Sequence, residues 1–106
     1  MRIIVPHQHP PQQVVDNIDR KFDEIFKGLP VGPIQIVDVK RNWTGRKMDF
    51  NFNASAGFMS VPIKGTIDVG DKDVTIDVDL PAFLSQILPE AKLRPALEKS
   101  VKGLLT

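Results

Sequence analysis

Three consecutive segments of this chain alternate apolar and polar residues, and that pattern limits the fold more than any other feature. Met48, Phe50, Phe52 and Ala54 share one side of the first, with Asp49, Asn51 and Asn53 on the other. Met59, Val61, Ile63, Ile67 and Val69 line one side of the second. Val74, Ile76, Val78 and Leu80 do so in the third, against Thr75, Asp77 and Asp79. A period of two repeated between turns predicts an antiparallel sheet with one dry and one wet face. Trp43-Thr44-Gly45 with Arg46, Ser55-Ala56-Gly57, and Gly70-Asp71 mark the turns. Pro62 cannot donate to a ladder, so it predicts an edge or a bulge in its strand, and Gly65 points the same way.

The dry face needs a cover. Val14, Val15, Ile18, Phe22, Ile25, Phe26 and Leu29 recur at three- and four-residue intervals, with charged residues between them. This predicts one amphipathic helix of roughly five turns. Pro10 and Pro11 precede it, and Gly28 and Pro30 end it. Near the C-terminus, Phe83, Leu84, Ile87 and Leu88 form one apolar stripe, and Leu93, Leu97, Val101 and Leu104 form another. Pro89 and Pro95 break or bend the rod, which predicts helical pieces at about 81–88 and 90–105. Ile3–Val5 reads as an opening strand, and Ile34–Arg41 as another with imperfect alternation at Ile36 and Val37. The expected class is α+β: an antiparallel β-sheet of about four to five strands, with a long N-terminal helix and C-terminal helices on one face, in the order β-α-β-β-β-β-α-α. A chain of 106 residues is expected to form a single α+β domain over 1–106.

Composition removes several kinds of chemistry. There is no cysteine, so thiolate metal sites, disulfides and thiol nucleophiles have no source. That also suits a reducing compartment, and the opening apolar run is too short for a signal peptide, so a cytoplasmic location is expected. A net charge of +1 predicts no strong attraction to nucleic acid.

His7 and His9 are the only histidines, and a catalytic zinc site usually needs a third protein ligand. They read as parts of a polar loop entering a helix, and the expectation is no metal and no cofactor. Asp68, Asp71, Asp73, Asp77 and Asp79 alternate with core positions and read as a solvated face rather than paired catalytic carboxylates. No nucleophile elbow and no phosphate-binding glycine loop occur, so no enzyme activity is expected. Lys40, Arg41, Arg46 and Lys47 around Trp43 could instead touch an anionic surface. Trp43, Arg46, Phe83 and Leu84 are therefore the candidate surface contacts. Against that stands a hairpin end with Trp43 packed on a helix, and a core role for the Phe83–Leu88 stripe. A cavity lined by Phe22, Phe50 and Phe52 would make the domain a small-molecule or lipid-binding module instead.

Taken together, Ile3–Val5, His7, Val14–Leu29, Trp43 and Gly45, Phe50 and Phe52, Gly65, and Val74 through Pro81 resemble the polyhydroxyalkanoic acid system proteins. The likeness spans nearly the whole chain, but its motifs are structural. The departure is Pro6-His7-Gln8-His9-Pro10-Pro11, where many relatives carry a single histidine. The resemblance implies a non-catalytic accessory role in polyhydroxyalkanoate storage-granule systems, with the granule surface or a granule protein as partner. It carries over no catalytic residue.

Overall fold

The structure, a computed structural model, describes residues 1–27, 34–81 and 89–105. Along these the chain forms β1 (Arg2–Pro6), α1 (Pro11–Arg20), α2 (Phe22–Lys27), β2 (Gln35–Thr44), β3 (Lys47–Ala56), β4 (Met59–Val69), β5 (Asp73–Asp79) and α3 (Glu90–Leu105). The strands make one five-stranded sheet in the order β1-β5-β4-β3-β2, antiparallel throughout.

Two glycines in left-handed conformation set the register of the long hairpins. Gly45 has φ 62 and opens the two-residue turn between Thr44 and Lys47. Gly57, with φ 64, opens a second two-residue turn between Ala56 and Met59. Glycine takes this conformation without the Cβ clash that penalises other residues. The second turn is centred on Gly57-Phe58, one residue beyond the Ser55-Ala56-Gly57 expectation, so β3 runs through Ala56.

The predicted alternation is the observed one. Met48, Phe50, Phe52, Ala54, Ile63, Ile67, Val69, Val74 and Ile76 are buried, while Asp49, Asn51 and Asp68 are exposed. Met59 departs from it. Its position shares the dry face, but it lies at the hairpin end and is 52% exposed. Pro62 pairs with Asn53 on β3, whereas the β5 pairing starts only at Lys64, so Pro62 stands where β4 is laddered by β5 on neither its own nor its neighbours' account. Gly65 is not a bulge. It lies in regular register between Phe50 and Val78. A Cβ there would overlap the Phe50 ring and come within 2.7 Å of the Asp77 carbonyl oxygen. The glycine lets the ring lie over the strand.

The irregular alternation in β2 is a β-bulge. Val37 pairs with Asn53 and Lys40 with Asn51, leaving Asp38 and Val39 together opposite Phe52. Asp38 takes φ 55, a left-handed conformation that aspartate tolerates better than most residues. The extra residue returns both Ile36 and Val39 to the dry side, where they pack partly buried against the core.

The single long N-terminal helix is corrected to two shorter ones, so two helices stand between β1 and β2 in the element order. Lys21, at φ −113 and ψ 21, ends α1, and α2 begins at Phe22. Lysine is a good helix former, so propensity does not explain the break. It falls where Phe22, 1% exposed, turns into the core with its ring 5.6 Å edge-on from Phe50. At the junction the Lys21 carbonyl accepts from the Glu24 N–H at 3.0 Å, so a three-residue turn starts the second helix. The expected stop at Gly28 and Pro30 and the apolar piece at 81–88 fall outside the described residues. The second C-terminal helix has the predicted bounds, and Pro95 stays inside it without ending it.

The three helices among the described residues contribute to one core with the dry face. Val14, Val15, Ile18, Phe22, Leu97, Val101, Leu104 and Leu105 pack in the same buried cluster as the sheet residues. Asn17 of α1 donates to the Leu104 carbonyl at 3.4 Å, and Arg94 donates to the Arg2 carbonyl at 2.8 Å. These bonds tie α3 to α1 and β1.

Two substitutions test this packing. Gly65→Ala is expected to cost about 1–3 kcal/mol in urea unfolding, because the Phe50 ring must move. Leu97→Ala, at a site 4% exposed, is expected to cost about 2–5 kcal/mol. Unchanged midpoints would contradict the placement of Phe50 over β4 and of α3 over the sheet.

Candidate functional site

His7 is the only polar or charged side chain buried among the described residues, at 7% exposure. Its backbone N–H donates to the Lys72 carbonyl at 2.8 Å, extending the β1–β5 pairing into the loop. Its ring Nε2–H donates to the Gly70 carbonyl at 2.9 Å, and its Nδ1 accepts from the His9 backbone N–H at 3.3 Å. These partners occupy both ring nitrogens. His7 thus closes the β4–β5 turn rather than the helix start. Among the described residues, no three His, Cys, Asp or Glu side chains gather to hold a metal ion.

The aspartates disperse. Asp71 pairs with Arg46 at 2.9 Å, and Asp77 with Arg2 at 3.1 Å. On the wet face Asp49, Thr66 and Asp77 are successive partners across β3, β4 and β5, so a threonine separates the two carboxylates. A shallow groove of about 490 Å³ runs over this row, edged by Lys64 and Asp79. Carboxylates spaced by neutral and cationic groups on an open sheet lack the burial that separates an acid from a base.

The basic hairpin also divides between the two faces. Lys40 pairs across with exposed Asn51, whereas Arg41 pairs with buried Phe50 and faces the helices. Arg41 Nε lies 2.9 Å from Asp19 Oδ1, with the guanidinium 5.3 Å from the Phe22 ring centroid. The Trp43 indole N–H donates to the same oxygen at 3.0 Å. The Trp43 bond, opposed by burial and reinforced by Arg41, holds the Asp19 carboxyl below its ordinary value. Trp43 and Arg46, two of the four candidate contacts, are thus engaged within the fold. Phe83 and Leu84, the other two, lie outside the described residues. Phe22, Phe50 and Phe52 are buried against one another, with Phe50 and Phe52 stacked at 6.2 Å. Their rings belong to the buried cluster between the sheet and the described helices.

The feature that sequence reasoning missed is the far end of the β3–β4 hairpin. β5 pairs with β4 only from Lys64 to Val69, so the hairpin continues past it. At its tip Phe58 is 103% exposed, beside half-exposed Met59. Nearby Val37 on β2 is also exposed. The signal was present: no charged residue occurs between Asp49 and Lys64. A phenylalanine at the second centre of a tight turn has no neighbour to bury it, and the alternation rule does not extend to turn positions. With 42 Å along its longest axis, the molecule carries this apolar tip at one end of β3 and the Gly45 turn at the other.

No family model, curated protein or solved structure matches the chain.

Asp19 sets a pH test. Its folded pKa is lowered, so its contribution is fully present above the unfolded carboxylate value of about 4 and is lost as pH falls through the folded one. The pair is half exposed, so the contribution is about 0.2–1 kcal/mol. Asp19→Asn is expected to lower stability by that amount at pH 7, with the gap closing as pH falls below the unfolded carboxylate value of about 4 and through the lower folded one. A gap that persists or widens in acid would contradict the assignment.

Proposed function

We propose that this chain is a non-catalytic accessory protein of polyhydroxyalkanoate storage granules, acting in the cytoplasm through contact with the granule surface or a protein on it. The resemblance noted in its sequence motivates the granule setting. The observation that carries a contact role is the exposed, uncharged hairpin end at Phe58 and Met59. Solvent-facing phenylalanine on a tight turn costs solubility and adds nothing to the core, so it supports a surface that the tip meets. Burying Phe58 would contribute about 1.5–3 kcal/mol, and Met59, already half-buried, about half of that. That is on the scale of a single acyl anchor, which gives marginal, reversible attachment. Reversible attachment suits an accessory factor better than a permanent coat.

The alternative of a ligand-binding module has less support, because the three phenylalanines proposed to line its cavity are packed on each other. Among the described residues no helix is long and apolar enough to cross a membrane, so attachment through those helices would be peripheral.

Fractionation of polyester-accumulating cells tests the reading. A share of the protein is expected with washed granules, and deletion is expected to change granule size or number. Recovery wholly outside the granule fraction, with granules unchanged, would contradict it.

A further inference from the structure

We infer that the protein meets an uncharged apolar surface end-on, with the Phe58–Met59 hairpin tip inserted and the Trp43–Arg46 end held away from it. This rests on the granule-surface reading and names the site and the geometry of the contact.

Three observations carry it. First, the tip and the basic turn lie at opposite ends of β3, which spans ten residues. At about 3.4 Å per residue the two ends are roughly 30 Å apart, so a flat surface touching one cannot touch the other unless the sheet lies down on it. Second, lying down is disfavoured. The wet face presents Lys47, Asp49, Lys64, Asp68 and Asp77, whose charges would need desolvation, and the opposite face is covered by helices. Third, the charge pattern selects the surface. An anionic layer rewards cations beside an inserted side chain. Here the residues from Phe50 to Ile63 carry no charge, and the neighbouring charge on β2 is Asp38, whose carboxylate accepts from Asn53 at 3.2 Å. The arginines at the other end are held by Asp19 and Asp71. An uncharged apolar phase fits the tip, and an anionic headgroup layer does not.

The lack of cysteine makes a direct test simple. Full-length Met59→Cys and Thr44→Cys proteins, each labelled with an environment-sensitive dye, are mixed with poly(3-hydroxybutyrate) particles and, separately, with phosphatidylglycerol vesicles. On the particles the dye at 59 is expected to brighten and shift to the blue, the dye at 44 to stay unchanged, and binding to be the same in low and high salt. Phe58→Ser, in unlabelled protein, is expected to weaken particle binding at least tenfold without lowering the melting temperature, and Phe58→Trp to restore it. A response at 44, stronger binding to the anionic vesicles that salt abolishes, or wild-type binding by Phe58→Ser would overturn the end-on geometry while leaving particle association standing. A dimer that Phe58→Ser dissolves would also overturn it, by making the tip a self-association surface. No particle binding by any variant would overturn both the geometry and the granule reading.

Discussion

Everything in this fold depends on covering one apolar sheet face. Five strands present β-branched and aromatic side chains to the same side, and the unfolded alternative leaves all of them in water. α1, α2 and α3 supply the cover, and the helices have little reason to form without it, since short isolated helices are marginal in water. Across the break between α1 and α2, Phe22 keeps its edge-on contact with Phe50 in the core. Gly65 shows the demand of the core in the sheet, giving up a side chain so that the Phe50 ring can lie over the strand.

Polar groups serve mostly to join elements. Asp19 Oδ1 accepts from both Trp43 and Arg41, binding the edge strand β2 to α1. His7 joins the loop after β1 to the β4–β5 turn through Nε2, while its Nδ1 accepts from the His9 N–H within the loop. No buried side-chain nitrogen or oxygen among the described residues lacks a partner. The sheet edges are also blunted. β2 carries a bulge at Asp38 with Lys40 beside it, and β1 begins with Arg2 and ends at Pro6, features that discourage a further strand from pairing. Among the described residues, what is left over is the hairpin end, where Phe58 stays fully exposed.

The sheet was legible because period-two alternation reports directly which side of a strand is dry. It marked Phe50 and Phe52 as core and Asp49 and Asn51 as solvent-facing. The α3 boundaries were legible too, since Pro89 stands just outside them and the leucine spacing persists past Pro95. The split at Lys21 was not, because lysine is a good helix former and nothing local marks a break there. The basic residues near Trp43 formed a cluster along the chain, but alternation and the fold distributed them to different partners. Phe58 was not legible, because a turn position belongs to neither face of the sheet and alternation says nothing of it. The same residue now sets the character of the proposed contact.

Amide hydrogen exchange with and without polyester particles tests that contact most directly, since it reads every part of the chain in one experiment. Slowed exchange confined to peptides spanning residues 54–62, with residues 40–47 unaffected, is the predicted result. Protection centred on the Trp43 turn, or no protection anywhere, would contradict the account.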